Sequence, residues 1–99
     1  MQKPNSKYET IFIVNAELGD EDRAAIISKF TGIIENGATI DKIDEWGKRR
    51  MAYEINDMHE GYYVYVAFTA PQDLPAELER VFKITDGILR WIVVNIDEK

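Results

Sequence analysis

Residues Tyr8 to Asn15, YETIFIVN, constrain this chain more than any other stretch. Their β-branched and aromatic content favours a strand. The run is apolar on both parities, with Thr10, Phe12 and Val14 on one face and Ile11 and Ile13 on the other. A strand with one wet face alternates more cleanly, so both faces of this one need cover.

The elements that follow supply that cover. Leu18-Gly19-Asp20 opens a helix with Asp20 as the expected N-cap, and Glu21 and Asp22 suit the positive end of the helix dipole. Ala24, Ile27, Phe30, Ile33 and Ile34 recur at spacings of three and four, and Asn36-Gly37 ends the helix. Ala38 to Ile55 reads as a long extended segment. Ile40 and Ile43 stand three apart, which predicts a bulge. From Trp46 onward alternation resumes, placing Trp46, Lys48 and Arg50 on one face and Arg49, Met51 and Tyr53 on the other. NDMHEG, residues 56–61, reads as a turn. YYVYVAFTA, residues 62–70, is the next strand, with Val64, Val66 and Phe68 opposed to Tyr63, Tyr65 and Ala67. Pro75 fits the first turn of a second helix whose apolar face is Leu78, Val81 and Phe82, and Gly87 caps its end. Residues 88–96, ILRWIVVNI, form the last strand.

The order β-α-β-β-α-β defines an α+β ferredoxin-like sandwich. It is a four-stranded antiparallel sheet with two helices on one face, and its strand order is fourth, first, third, second. The chain's 99 residues fit one domain over residues 8–96, with a flexible N-terminal arm over 1–7 and a short polar tail over 97–99. There is no cysteine, which excludes disulfides and thiolate metal sites. No apolar run is long enough to span a membrane, and the first residues lack the apolar core of a secretory signal, so cytoplasm is expected.

Helices on one side leave the other side of the sheet open. Phe12, Val14, Val64, Val66, Phe68, Trp91 and Val93 are assigned to the helix side. Ile11, Ile13, Tyr63, Tyr65, Ile92 and Val94, with Arg90 among them, fall on the open side. A contiguous apolar patch of that kind marks an interaction surface. The tyrosines could stack bases, but the aromatic motifs of RNA-recognition modules are missing, and aliphatic Ile11, Ile13 and Ile92 suit a protein partner better. Tyr65→Asp is then expected to break docking and spare the fold.

WGKRR, residues 46–50, gathers three cations in a chain of net charge -6. On an edge strand such residues guard against unwanted pairing, and arginine forks also match phosphate oxygens. Spacing alone leaves both readings open.

The segments YETIFIVNAEL, GATIDKIDEWGKRRMAYEI, EGYYVYVAFTAP and ILRWIVV together resemble the bacterial small-subunit ribosomal protein S-six family, in register from Tyr8 to Val94. The opening YE, the block from Gly47 to Tyr53 and the G-Y-Y before the third strand are specific in combination. The resemblance implies a structural constituent of the small ribosomal subunit. It implies binding to the central domain of small-subunit ribosomal RNA as a heterodimer with ribosomal protein S-eighteen. Matched residue by residue, it implies RNA contacts at Lys7, Tyr8, Arg49, Arg50 and Arg90, to which Lys48 of the basic run is added. It also puts Tyr63 and Tyr65 near the protein partner. Glu54 stands where many members have proline, the arm is a few residues longer than in compact members, and the long C-terminal tail of some members is missing.

An acidic chain docks a basic partner favourably and can share a joint basic surface with it. The isolated chain is then expected to bind RNA weakly. No enzyme site is expected. His59 is the single histidine and lies in the turn, and Glu17, Asp20, Glu21 and Asp22 are explained by helix capping. No cofactor or metal is expected. The alternative is a self-associating ferredoxin-like ligand-sensing module, which would be a stable dimer alone and would not need Arg49 or Arg50.

Overall fold

The computed structural model describes residues 5–55 and 58–97. Its elements are β1 (Ser6–Asn15), α1 (Asp20–Gly37), β2 (Thr39–Ile55), β3 (Met58–Ala70), α2 (Leu74–Ile84) and β4 (Ile88–Asn95). The sheet order is β2-β3-β1-β4 with every neighbour antiparallel. This is the order expected from the sequence, and it makes doubly apolar β1 a central strand.

The core lies between the sheet and the two helices. Phe12 meets Phe30 and Phe82 with ring centroids 5.4 and 5.2 Å apart, and Phe30 stacks on Phe82 at 4.2 Å. Val64, Val66, Phe68, Ile34 and Leu78 are fully buried around them. Each such side chain contributes roughly 1.5–3 kcal/mol by leaving water. Trp91 of β4 closes the layer against Phe82 at 5.7 Å.

Several local expectations need correction. β1 begins at Ser6, so Ser6 and Lys7 belong to the sheet rather than to the arm, and the Lys7 amide donates to Asp97 Oδ2 at 2.8 Å. Of the rest of the arm, Asn5 is exposed and outside any strand, and residues 1–4, like the tail residues 98–99, lie outside the described residues. Gly19, in extended conformation, precedes α1 and takes the N-cap position. Asp20 is the first helical residue and accepts from Arg23 at 2.8 Å. Thr85, not Gly87, is the C-cap of α2. Gly87 instead adopts φ 94° at the turn into β4, where a Cβ would stand 2.8 Å from Ile26 Cδ1. Of the turn expected at 56–61, residues 56 and 57 lie outside the described residues. Met58 to Gly61 are strand, because β2 and β3 pair out to Ile55 opposite Met58.

The expected bulge is present as a register shift between Ile40 and Lys42. A second shift follows between Glu45 and Gly47, with Gly47 at φ 85°. That left-handed conformation suits glycine. It resets the side-chain parity of everything after it.

Candidate interaction surfaces

The second bulge decides where the basic run points. Trp46 lies on the open face, stacked on Tyr65 (5.8 Å, 6° between planes) and Tyr63 (6.5 Å, 18°). After Gly47 the next residues alternate anew. Lys48 pairs with Tyr62, a helix-side residue, while Arg49 pairs with Gly61 and returns to the open face. There its Nε donates to the Trp46 carbonyl at 3.4 Å and its guanidinium stands 5.8 Å from the Trp46 ring. The grouping of Trp46 with Lys48 and Arg50 is therefore overturned, because Arg49 shares the face of Trp46.

Lys48 and Arg50 line a cleft on the helix side of the hairpin, with Ala16, Glu17, Leu18, Met58, His59 and Glu60 around it. His59 Nε2 sits 3.2 Å from Glu54 Oε2. Among the described residues, no carboxylate lies within 4.0 Å of Lys48, Arg49 or Arg50.

The far end of β2 curls over the open face. Tyr53, 59% exposed, accepts a hydrogen bond from Arg90 of β4, whose guanidinium lies 5.2 Å from the Tyr53 ring centre. The link crosses the full width of the sheet. Gly61 permits the bend, since a Cβ there would lie 2.2 Å from Ile13 Cγ2. Met51 comes down beside Ile13, and both are buried.

The six expected interface residues are contiguous but not equally available. Ile11 pairs with Tyr65 on one side and Ile92 on the other, and Ile13 pairs with Tyr63 and Arg90. Ile13 is covered by the hairpin, and Tyr63 and Tyr65 lie against Trp46. Tyr65 also donates its hydroxyl to Glu9 Oε2 at 2.5 Å, and that carboxylate holds the phenol above its ordinary pKa of 10.0. On the helix side Tyr62 donates to Glu45 Oε1 at 2.7 Å and is raised by the same cause. The accessible apolar strip therefore runs along β4, with Ile92 51% and Val94 46% exposed and Ile96 beside them at 44%. Ile96 was missed, although it shares the parity of Ile92 and Val94 in the sequence.

The expected RNA-contacting residues fall in three places. Arg49 and Arg90 share the open face, Lys48 and Arg50 the helix-side cleft, and Lys7 lies six residues along β1 from Ile13, roughly 20 Å away. Tyr8 is 5% exposed with its ring stacked on Phe68, so it is a core residue that offers no face to a base.

The architecture is a ferredoxin-like α+β sandwich with an apolar strip on one sheet edge and, among the described residues, hairpin cations without a carboxylate within 4.0 Å. The model of the family described as Ribosomal protein S6 matches residues 7–95. The small ribosomal subunit protein bS6 of Clostridium beijerinckii is 54% identical over 90 residues, covering 90% of this chain and 95% of the relative. The same protein of Clostridium botulinum is 51% identical over 90 residues, covering 90% and 96%. The crystal structure of 30S ribosomal protein S6 from Thermotoga maritima superposes with a TM-score of 0.89 at 30% identity, covering 95% of this chain and 90% of that one. The chain belongs to the ribosomal protein S6 family. It is a bacterial small-subunit ribosomal protein of the cytoplasmic ribosome, not an enzyme.

Proposed function

We propose that this chain binds the central domain of small-subunit ribosomal RNA as a heterodimer with ribosomal protein S-eighteen. The observation that carries the reading is the separation of two surfaces on one acidic molecule. An apolar strip at Ile11, Ile92 and Val94 suits a protein partner, and the hairpin cations Lys48, Arg49 and Arg50 stand free of carboxylates among the described residues. Five cations, at Lys7, Lys48, Arg49, Arg50 and Arg90, supply phosphate contacts. Tyr8 supports them only through the core. At a net charge of -6 the chain alone is repelled by RNA, and a basic partner offsets that repulsion.

The experiment is a titration of a central-domain RNA fragment with this chain, with and without purified S-eighteen. Tight binding that needs both proteins supports the reading. Tight binding by the chain alone discards the charge argument, and no binding in either mixture discards the RNA role. Arg49→Ala and Arg50→Ala each lower the slope of log K against log salt by about one if the residue contacts a phosphate. An unchanged slope returns that residue to guarding the sheet edge.

A further inference from the structure

The sheet has two free edges, and they are built differently. β2 carries eight charged residues and three register shifts, which protect it from pairing with another strand. β4 carries one charged residue, Arg90, with neither proline nor glycine, and its register with β1 runs unbroken from Arg90 to Asn95.

Backbone direction follows from two hydrogen bonds. The Ile96 N–H donates to the Lys7 carbonyl at 2.9 Å, and the Ile92 carbonyl accepts from the Thr10 hydroxyl at 2.7 Å. In an antiparallel ladder alternate residues direct both backbone groups to opposite edges. Ile92, Val94 and Ile96 therefore face β1. Trp91, Val93 and Asn95 turn their N–H and C=O outward, and among the described residues no strand lies beyond them. A buried backbone group without a partner is costly, whereas an edge left in water is a template for another strand. The half-exposed side chains of Ile92, Val94 and Ile96 stand directly beside this edge.

We propose that the outer edge of β4 takes an extended segment of a basic protein partner. The segment adds as a fifth strand and lays alternate apolar side chains against Ile92, Val94 and Ile96. Charge selects the occupant. Glu9 stands opposite Val94 in the register, Asp97 follows the strand, and the chain as a whole is at -6. A second copy of the same chain is repelled, and a basic segment is attracted. The inference rests on the heterodimer reading and specifies how the partner is held.

The test is amide hydrogen exchange on the full chain, alone and mixed with S-eighteen, with sedimentation to report assembly. In the heterodimer the amides of Trp91, Val93 and Asn95 slow by on the order of 100-fold, while those of Ile92 and Val94 are already protected in the free chain. A heterodimer in which the three outward amides exchange as in the free chain overturns the inference and leaves the heterodimer standing. Protection of the same three amides in a homodimer of the chain alone overturns it in favour of a second copy. Failure of any heterodimer to form removes both the inference and the reading beneath it.

Discussion

The Trp46 indole lies nearly parallel to the Tyr65 ring, 6° apart in plane with centroids 5.8 Å apart, and so covers part of the sheet face that the helices leave open. Trp46 reaches that face by following Glu45, which pairs with helix-side Val64, and the bulge at Gly47 then brings Arg49 to the same face. Trp46→Ala uncovers Tyr63 and Tyr65 together. The expected loss is about 1–2 kcal/mol of stability, from aromatic pairing and lost burial. Urea unfolding with Trp91 fluorescence as the remaining indole signal measures it, and a variant as stable as the parent would show that the stacked rings contribute nothing.

Gly61 and Ile13 form a second such pair. A Cβ at residue 61 would fall 2.2 Å from Ile13 Cγ2, far inside van der Waals contact. Gly61→Ala is expected to cost about 1–3 kcal/mol, the usual penalty of overpacking. Ile13→Ala in the same chain should make the added methyl less damaging than it is in the parent. Equal costs in the two backgrounds would place the strain elsewhere.

Two phenols donate to carboxylates, Tyr62 to Glu45 and Tyr65 to Glu9, and both are raised above the ordinary value of 10.0. A group whose folded pKa exceeds its unfolded one contributes stability that is complete below the unfolded value. That contribution is lost as pH rises from about 10 through the higher folded value. Absorbance titration of the folded protein should show Tyr62 and Tyr65 ionising late. Tyr65→Phe should remove one of them and flatten the alkaline loss of stability. An unaltered titration curve in that variant would count against the Glu9 bond.

Tyr65→Asp, expected from the sequence to break docking alone, now has a different outcome. The new carboxylate would sit beside Glu9 and Asp44 under the Trp46 ring, so the fold itself is expected to weaken. Ile92→Asp is the cleaner probe. Ile92 is 51% exposed, so its substitution should change stability by no more than about 0.5 kcal/mol while weakening the heterodimer at least tenfold. Calorimetric titration with S-eighteen checks it, and parent-like affinity would remove β4 from the interface.

The large features of this fold were legible because they rest on periodicity. The doubly apolar run at residues 10–14, the spacing of Ile27, Phe30 and Ile34 in α1, and the alternation of β3 each matched what was observed. The bulge near Ile40 was legible for the same reason, since two isoleucines three apart break a period of two. The bulge at Gly47 left no such mark. Trp46 and its neighbours alternate acceptably in either parity, and only the positive φ of Gly47 reveals the reset. The face of Arg49 was therefore misread, and so was the degree to which the protein covers its own tyrosines. The curl that brings Tyr53 to Arg90 joins residues 37 positions apart and depends on a missing side chain at Gly61, which no local pattern announces.

The position of β4 in the chain has a consequence during synthesis. β1 is made first, yet one of its two sides stays open until β4, the last strand, has left the ribosome that makes it. The strand that completes the sheet also supplies the outward amides of Trp91, Val93 and Asn95. A truncated chain thus lacks both the closing strand of its core and the edge offered to a partner. Assembly through the β4 edge, as proposed above, would accept molecules that carry this strand and pass over those that lack it.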